Sequence, residues 1–179
     1  TLFPYTTLFR SRERHYFILT STPIYRNCMN NDLMNFAEVK VTYSPRIKPS
    51  ERLKLTTSEE TYQLLKQVFD INTIEYRESF KLVLLNRAMK VIGITSIAEG
   101  GIERVSVDIR LIFQTALLAN ASCFIICHNH PSGNLQPSNN DRNLTRTIHE
   151  AGKLLNIILI DHIIVTSEGY YSFSDNGIL

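Results

Sequence analysis

Two histidines stand one residue apart at the end of an apolar run, in the stretch CFIICHNHPSGNLQPSNND of residues 123–141. His128 and His130 are followed by a Pro-Ser-Gly turn, by Ser138 and by Asp141. Imidazole nitrogens and carboxylate oxygens bind zinc, and catalytic zinc sites use three protein ligands with a fourth position left to water. The spacing therefore predicts a catalytic zinc site on His128, His130 and Asp141.

The elements predicted around these residues bring the three side chains together. The apolar run 122–128 predicts a strand covered on both faces, and its period of two points both imidazoles to one face. Pro131 ends this strand, and Gly133 permits the turn that follows. Ser138 is a predicted helix N-cap, with Asp141 at the third helical position, where the helix dipole favours a carboxylate.

Each part of this pattern also has an ordinary structural explanation. A lone His-x-His pair occurs by chance on strands, and Ser138 with Asp141 alone forms a plain capping box. The joint pattern is more specific, because the strand, the turn and the cap all agree with a metal site.

Strands and helices alternate along the rest of the chain, which indicates an α/β or α+β sandwich around a mixed sheet. Thr57 and Glu60 form a predicted capping box that begins a helix. On a later helix, over 139–154, the residues expected to face the core are Ile148, Ala151, Leu154 and Leu155. The other predicted elements are strands over 36–44, 78–86, 90–98, 157–166 and 170–174, and a helix through 109–117.

Composition limits the classes of protein that need to be considered. The chain has 179 residues, 44% of them hydrophobic and 20% charged, which suits one ordinary globular domain. No apolar run approaches the ~20 residues of a membrane helix, so no membrane partner is expected. Three cysteines and no signal-peptide pattern predict a reducing compartment, and hence a cytoplasmic protein.

The positive net charge belongs to the first 28 residues. Removing their four arginines and one glutamate from the totals of 19 and 17 leaves 15 basic and 16 acidic residues, a net charge of −1 over 29–179. Nucleic-acid-binding surfaces show clustered Lys and Arg, and this part of the chain shows no such cluster.

The N-terminal residues are predicted to lie outside the folded domain. TLFPYTTLFRS, residues 1–11, resembles the translation of a sequencing-adapter oligonucleotide, and Met29 reads like a natural start. We expect an artefactual or disordered leader over 1–28, a strand and linker over 29–50, and a domain over 51–179. A natural disordered extension is the alternative for the leader.

The string HNHPSGN…PS…D…T, with LIDHIIVT and YYSF after it, resembles the RadC branch of the JAMM (MPN/JAB1) zinc metallopeptidases. The resemblance covers roughly residues 50–179. It implies a single α/β domain of MPN type, with a mixed curled sheet flanked by helices. It also implies Zn²⁺ held by His128, His130 and Asp141, with Ser138 assisting the reacting oxygen. Full-length relatives carry a helix-hairpin-helix region that this sequence does not show, which counts against carrying over a DNA-contacting role from the family.

Hydrolysis by such a site requires a carboxylate that accepts a proton from water and passes it to the leaving amine. The candidates are Glu75, Glu78, Glu99 and Glu103. Glu78 is favoured, because it opens a predicted strand that can hold it rigidly. The resemblance also implies Glu78, since RadC-like sequences carry this glutamate in a Glu-x-Phe stretch.

Other polar residues receive structural predictions. Cys123 and Cys127 are expected in the core, because Cys127 points away from the imidazoles. His162 is expected to support the site rather than bind the metal. His149 is predicted to face solvent, and Arg110 to form a surface ion pair.

The leading prediction is a zinc-dependent hydrolase of peptide or isopeptide bonds that acts on a peptide or protein substrate. One alternative is a DNA-repair or mobile-element accessory protein that binds nucleic acid, which the charge of −1 over 29–179 disfavours. Another is a non-catalytic interaction module of the same fold, which the intact ligand set disfavours. A zinc deaminase is excluded, since it needs His-x-Glu with Pro-Cys-x-x-Cys.

Overall fold

The computed structural model describes residues 47–100 and 106–179. The predicted leader over 1–28, the predicted strand over 36–44 and Glu103 lie outside these ranges. Within the described ranges, no helix combines the length and apolarity needed to cross a bilayer. The elements are α1 (Ser58–Val68), β1 (Ser79–Leu85), β2 (Val91–Glu99), α2 (Ile109–Leu118), β3 (Cys123–Asn129), α3 (Asn139–Leu155), β4 (Ile158–Val165) and β5 (Tyr170–Ser172).

The strands form one open mixed sheet in the order β2-β1-β3-β4-β5. β1 runs antiparallel to both β2 and β3, and β4 runs antiparallel to β5. β3 and β4 are parallel, and α3 provides the long crossover that a parallel pair requires. The predicted fold class is confirmed, as are the two predicted hairpins.

β3 lies at the centre of the sheet, and every one of its residues is buried. Phe124 and Ile126 belong to an apolar cluster with residues of α2 and α3, whereas Ile125 and Cys127 belong to a second cluster with residues of α1. This arrangement explains the continuous apolar run, because both faces of the strand are covered. The prediction that Cys123 and Cys127 are buried is confirmed.

Capping boxes begin two of the helices. At α1, the Thr57 hydroxyl accepts a hydrogen bond from the backbone N–H of Glu60, and the Glu60 carboxylate accepts one from the N–H of Thr57. Ser138 and Asp141 form the same reciprocal pair at α3. Both caps match the sequence-based predictions, and the second one fixes a residue of the candidate site.

The predicted inward face of α3 is wrong at its C-terminal end. Ile148 is buried, but Leu154 is 84% exposed and Leu155 is 41% exposed. Gly152 and Ile157 fill the inward positions there, because α3 ends at Asn156 in a left-handed conformation and the chain turns back at once.

Gly152 is expected to resist substitution, although alanine normally stabilises a helix interior by about 1 kcal/mol relative to glycine. A Cβ at this position would lie 2.5 Å from the backbone oxygen of Ile157. Gly152→Ala should therefore lower the free energy of unfolding, measured by urea denaturation, by about 1–3 kcal/mol. Gly93→Ala is the control, since its Cβ would only meet the end of the Leu84 side chain at 3.7 Å. Equal stability of the two variants would contradict the close approach at Gly152.

Candidate metal centre

The three predicted ligands converge where β3 ends and α3 begins. Their ligand atoms lie within 4.8 Å of one another. The Nε2 atoms of His128 and His130 are 3.0 Å apart, His128 Nε2 is 3.4 Å from Asp141 Oδ1, and His130 Nε2 is 3.7 Å from Asp141 Oδ2. Tetrahedral ligands about 2.1 Å from a zinc ion lie about 3.4 Å from one another. The donor set therefore fits a zinc ion.

Burial and a hydrogen-bonded chain orient His128. The Thr145 hydroxyl donates to the Asp141 carbonyl oxygen at 2.6 Å, so it must accept the bond from His162 Nδ1, also 2.6 Å long. His162 Nε2 then accepts from His128 Nδ1 at 2.8 Å. His128 Nε2 is therefore left with its lone pair directed towards His130 and Asp141.

Neutral imidazoles are required for this arrangement, because a ligating nitrogen must be deprotonated. Burial lowers the pKa of His128 to about 4, so the ring is neutral at physiological pH. Burial also lowers the pKa of His162 well below its ordinary value. Phe80 covers the His128 ring in a stacked contact, with the ring centroids 6.1 Å apart.

His130 is oriented by the turn after β3. Its Nδ1 lies 2.5 Å from the carbonyl oxygen of Asn134 and must donate to it, which leaves Nε2 for a metal. The neighbouring Asp141 carboxylate raises the pKa of His130, and the charge of Glu78 adds to this effect. A proton on His130 Nε2 is therefore held more tightly than on an ordinary histidine.

The capping box of α3 aims the Asp141 carboxylate. Its Oδ2 accepts a hydrogen bond from the backbone N–H of Ser138 at 2.7 Å, and Ser138 Oγ accepts one from the N–H of Asp141 at 3.1 Å. Burial raises the pKa of Asp141, but the imidazoles of His130 and His128 and the hydrogen bonds with Ser138 outweigh it and hold the pKa below its usual range. The carboxylate is therefore ionised and held in place.

Among the candidate glutamates, Glu78 is the one whose charge acts on His130. Glu78 directly precedes β1. Its charge raises the pKa of His130, as the charge of Asp141 also does. Glu75 is exposed in the preceding loop, and Glu99 pairs with Arg77 at 3.1 Å. The catalytic roles of Glu78 and Ser138 stay predictions.

The polar residues outside the ligand set differ in how well they were predicted. His162 contacts the ligand His128, as expected of a supporting residue. Arg110 pairs with Asp108 at 2.7 Å, as expected. The prediction for His149 is wrong in part, because its ring is half-buried and its Nδ1 has no hydrogen-bond partner among the described residues.

Two supporting residues were missed. Thr145 lies one helical turn after Asp141, a spacing that puts both on one face of α3. Asn129, between the two histidines, is 1% exposed. An amide buried in an otherwise apolar strand was the available signal, because buried polar groups are hydrogen-bonded.

Comparisons with known proteins agree with this fold and site. A sequence model of the RadC-like JAB domain matches residues 55–178. The UPF0758 protein of Flavobacterium johnsoniae is 39% identical over 125 residues, which cover 70% of this chain and 53% of that protein. The UPF0758 protein of Thermotoga maritima is 37% identical over 124 residues, which cover 69% and 54%. That of Alkaliphilus metalliredigens is 32% identical over 165 residues, which cover 86% and 71%.

The matched range contains every described helix and strand and all three candidate ligands, which makes this a JAB-type domain. The chain belongs to the RadC-like JAB domain family, which confirms the resemblance found in the sequence. It spans about half the length of the first two relatives. The predicted boundaries at residues 28 and 50 stay predictions.

Thr145→Val is expected to weaken zinc binding, because valine keeps the shape of threonine but cannot accept the hydrogen bond from His162. His128 could then change its tautomer and place a proton on the ligating nitrogen. The expected loss is about 10- to 100-fold in affinity, measured by competition with a chelator. Thr147→Val is the control, since its hydroxyl donates to Asn143 O on the exposed side of the same helix and has no other partner in the part of the chain that the structure describes. Equal affinities would contradict the role of the hydrogen-bonded chain.

Zinc affinity is also expected to fall as the pH is lowered. The pKa of His130 is raised, so below it zinc must displace a proton from Nε2. The affinity should then drop about tenfold per pH unit, the slope for one proton. This slope should hold until the pH approaches 4, where the pKa of His128 lies. A two-proton slope in calorimetric titrations above that pH would show that His128 is protonated as well.

Proposed function

We propose that this domain is a zinc-dependent hydrolase of peptide or isopeptide bonds. The observation that supports the proposal is the convergence of His128 Nε2, His130 Nε2 and the Asp141 carboxylate, with the charge of Glu78 acting on His130. Three ligands leave a position for water, as catalytic zinc sites require, whereas structural sites close with a fourth ligand.

His128, His130 and Asp141 would hold the zinc ion. When bound, zinc lowers the pKa of water and polarises a carbonyl oxygen. Each ligand is fixed by a bond on its far side: His128 by His162, His130 by the Asn134 carbonyl, and Asp141 by the Ser138 N–H. Such outer contacts orient the ligands and reduce the reorganisation needed during the reaction.

Glu78 is the general base and then the general acid. It accepts a proton from the attacking water, whose oxygen forms a bond to the carbonyl carbon of the substrate. The same proton passes to the amine nitrogen as the carbon–nitrogen bond breaks, so the carboxylate returns to its starting state.

Ser138 assists the substrate oxygen. Its Oγ accepts a hydrogen bond from the Asp141 N–H, which leaves the hydroxyl proton for another acceptor. Ser138 is exposed, so a substrate can reach it. The hydroxyl donates to the carbonyl oxygen as negative charge develops there, which stabilises the transition state.

Glu78→Gln is expected to separate metal binding from hydrolysis. Glutamine keeps the shape of glutamate but cannot accept a proton, so zinc content should stay at about one per chain, as a single three-ligand site implies. Cleavage in a peptide library should fall by ~10² or more. Glu75→Gln is the matched control from the same loop and should do little, while His128→Ala should lose the zinc.

Three outcomes would contradict this assignment. Full activity of Glu78→Gln would remove it as the base, and loss of zinc in that variant would make it a ligand. No cleavage of any peptide or isopeptide by the zinc-loaded wild type, together with tight and steeply salt-dependent binding of duplex DNA, would favour the nucleic-acid-binding alternative.

A further inference from the structure

Asn129 lies between the two ligand histidines, and its side chain points to the opposite side of β3 from theirs. It is 1% exposed, and its amide makes three hydrogen bonds. Oδ1 accepts from the backbone N–H of Ser79 at 2.8 Å, and Nδ2 donates to the carbonyl oxygens of Ile74 at 2.6 Å and Arg77 at 2.8 Å. Both amide hydrogens are therefore used, as burial requires.

All three partners belong to one backbone segment, residues 74–79, which contains Glu78. Two of the bonds go to Arg77 and Ser79, the immediate neighbours of Glu78. The carbonyl oxygen of Glu78 itself accepts a bond from the N–H of Gly100 at 2.8 Å. The backbone around Glu78 is therefore held by Asn129 and by the residue after β2.

The side chain of Asn129 continues the pairing of two strands beyond the point where their backbones separate. The register between β1 and β3 ends with Phe80 opposite His128. A carboxamide carries the same donor and acceptor types as a peptide group, so Asn129 can bond the next residue, Ser79, in place of a backbone. Strand-like order therefore reaches the residue after Glu78.

Other contacts of this segment do not fix Glu78 in the same way. The hydrogen bonds of Thr73, Ile74, Tyr76 and Arg77 N–H groups go to Asp70 and Thr73 carbonyls within the loop itself, so they shape the loop but do not tie it to β3. The Ile74 side chain is buried in the core. Within the described residues, the Asn129 amide thus ties residues 77–79 to β3, while the Gly100 N–H and the Arg77–Glu99 ion pair tie them to the end of β2.

We propose that Asn129 is the positioning residue for Glu78: its amide ties the Glu78 backbone to the strand that carries both ligand histidines. β3 then carries the two candidate histidine ligands on one face and, through Asn129 on its other face, holds the backbone of Glu78. The distance between the metal position and the Glu78 carboxylate is thereby fixed. What Glu78 does there rests on the proposed hydrolytic function, but the tie itself does not.

The chemistry demands asparagine in particular. Aspartate has the same shape and keeps an acceptor for Ser79, but it has no hydrogen to donate to the carbonyls of Ile74 and Arg77. Serine is uncharged, but it is too short to replace all three bonds. Asn129→Asp and Asn129→Ser are therefore two independent variants, one with charge repulsion and one without.

Hydrogen–deuterium exchange tests the proposal on the zinc-loaded chain. Both variants should speed exchange in peptides that cover residues 70–79 by roughly tenfold or more, since two or more hydrogen bonds are lost. Zinc content should remain at the wild-type level, because the ligand side chains are unchanged.

Asn86→Asp is the matched control at the other end of β1. Among the described residues, the Asn86 side chain only accepts, from the N–H groups of Ala88 and Lys90, so aspartate can keep both bonds. The control should leave exchange in 70–79 unchanged. Unchanged exchange in both Asn129 variants would overturn the proposal, and loss of zinc in both would show that Asn129 supports the ligands instead.

Kinetic measurements with a peptide that the wild type cleaves test whether the hydrogen bonds of Asn129 act through Glu78. Asn129→Ser should lower kcat more than it raises KM, and it should add little to the defect of Glu78→Gln, because both changes act on one carboxylate. Fully additive effects would overturn the link to Glu78. If the wild type cleaves nothing, the hydrolytic function fails, while the exchange result still decides whether Asn129 holds the segment.

Discussion

The burial of β3 on both faces is the constraint on which the site depends. A polar side chain on such a strand cannot reach water, so it must find its partners inside the protein or destabilise the fold. The His128 ring is hydrogen-bonded to His162, and the Asn129 amide is hydrogen-bonded to the backbone of residues 74–79. Each of these side chains therefore has a single favourable orientation, and these orientations determine the geometry of the site.

The same requirement connects elements that are distant in the chain. His162 lies on β4, and its position opposite Ile126 in the parallel register puts its ring next to His128. Thr145 on α3 completes the connection, because its hydroxyl bonds both to His162 and to the carbonyl oxygen of Asp141. Two ligands of the site are therefore joined through groups that never touch the metal position themselves.

The sequence predicts the parts of this site that depend on local rules. The period of two along the strand, the turn after Pro131 and the capping box of Ser138 and Asp141 are all local, and together they locate three ligands. The partners of Asn129 and His162 follow from strand order and register, which no local pattern contains. Leu154 was wrongly predicted to face the core for a similar reason, since the close approach of Gly152 to Ile157 depends on how the chain returns to the sheet.

The capping role of Asp141 has a consequence for how this family can diverge. A descendant that stopped binding metal would still keep Asp141 to begin α3, and it would still keep His128 because the core is built around that ring. Ser-x-x-Asp and the first histidine are thus poor markers of a working centre when genomes are compared. The His130 side chain is less buried than that of His128, and among the described residues its ring bonds outside the cluster to the Asn134 carbonyl on the same turn, so selection for folding alone would retain it least. Loss of the second histidine, with the rest of the motif intact, would be the signature of relatives that lack the proposed metal site.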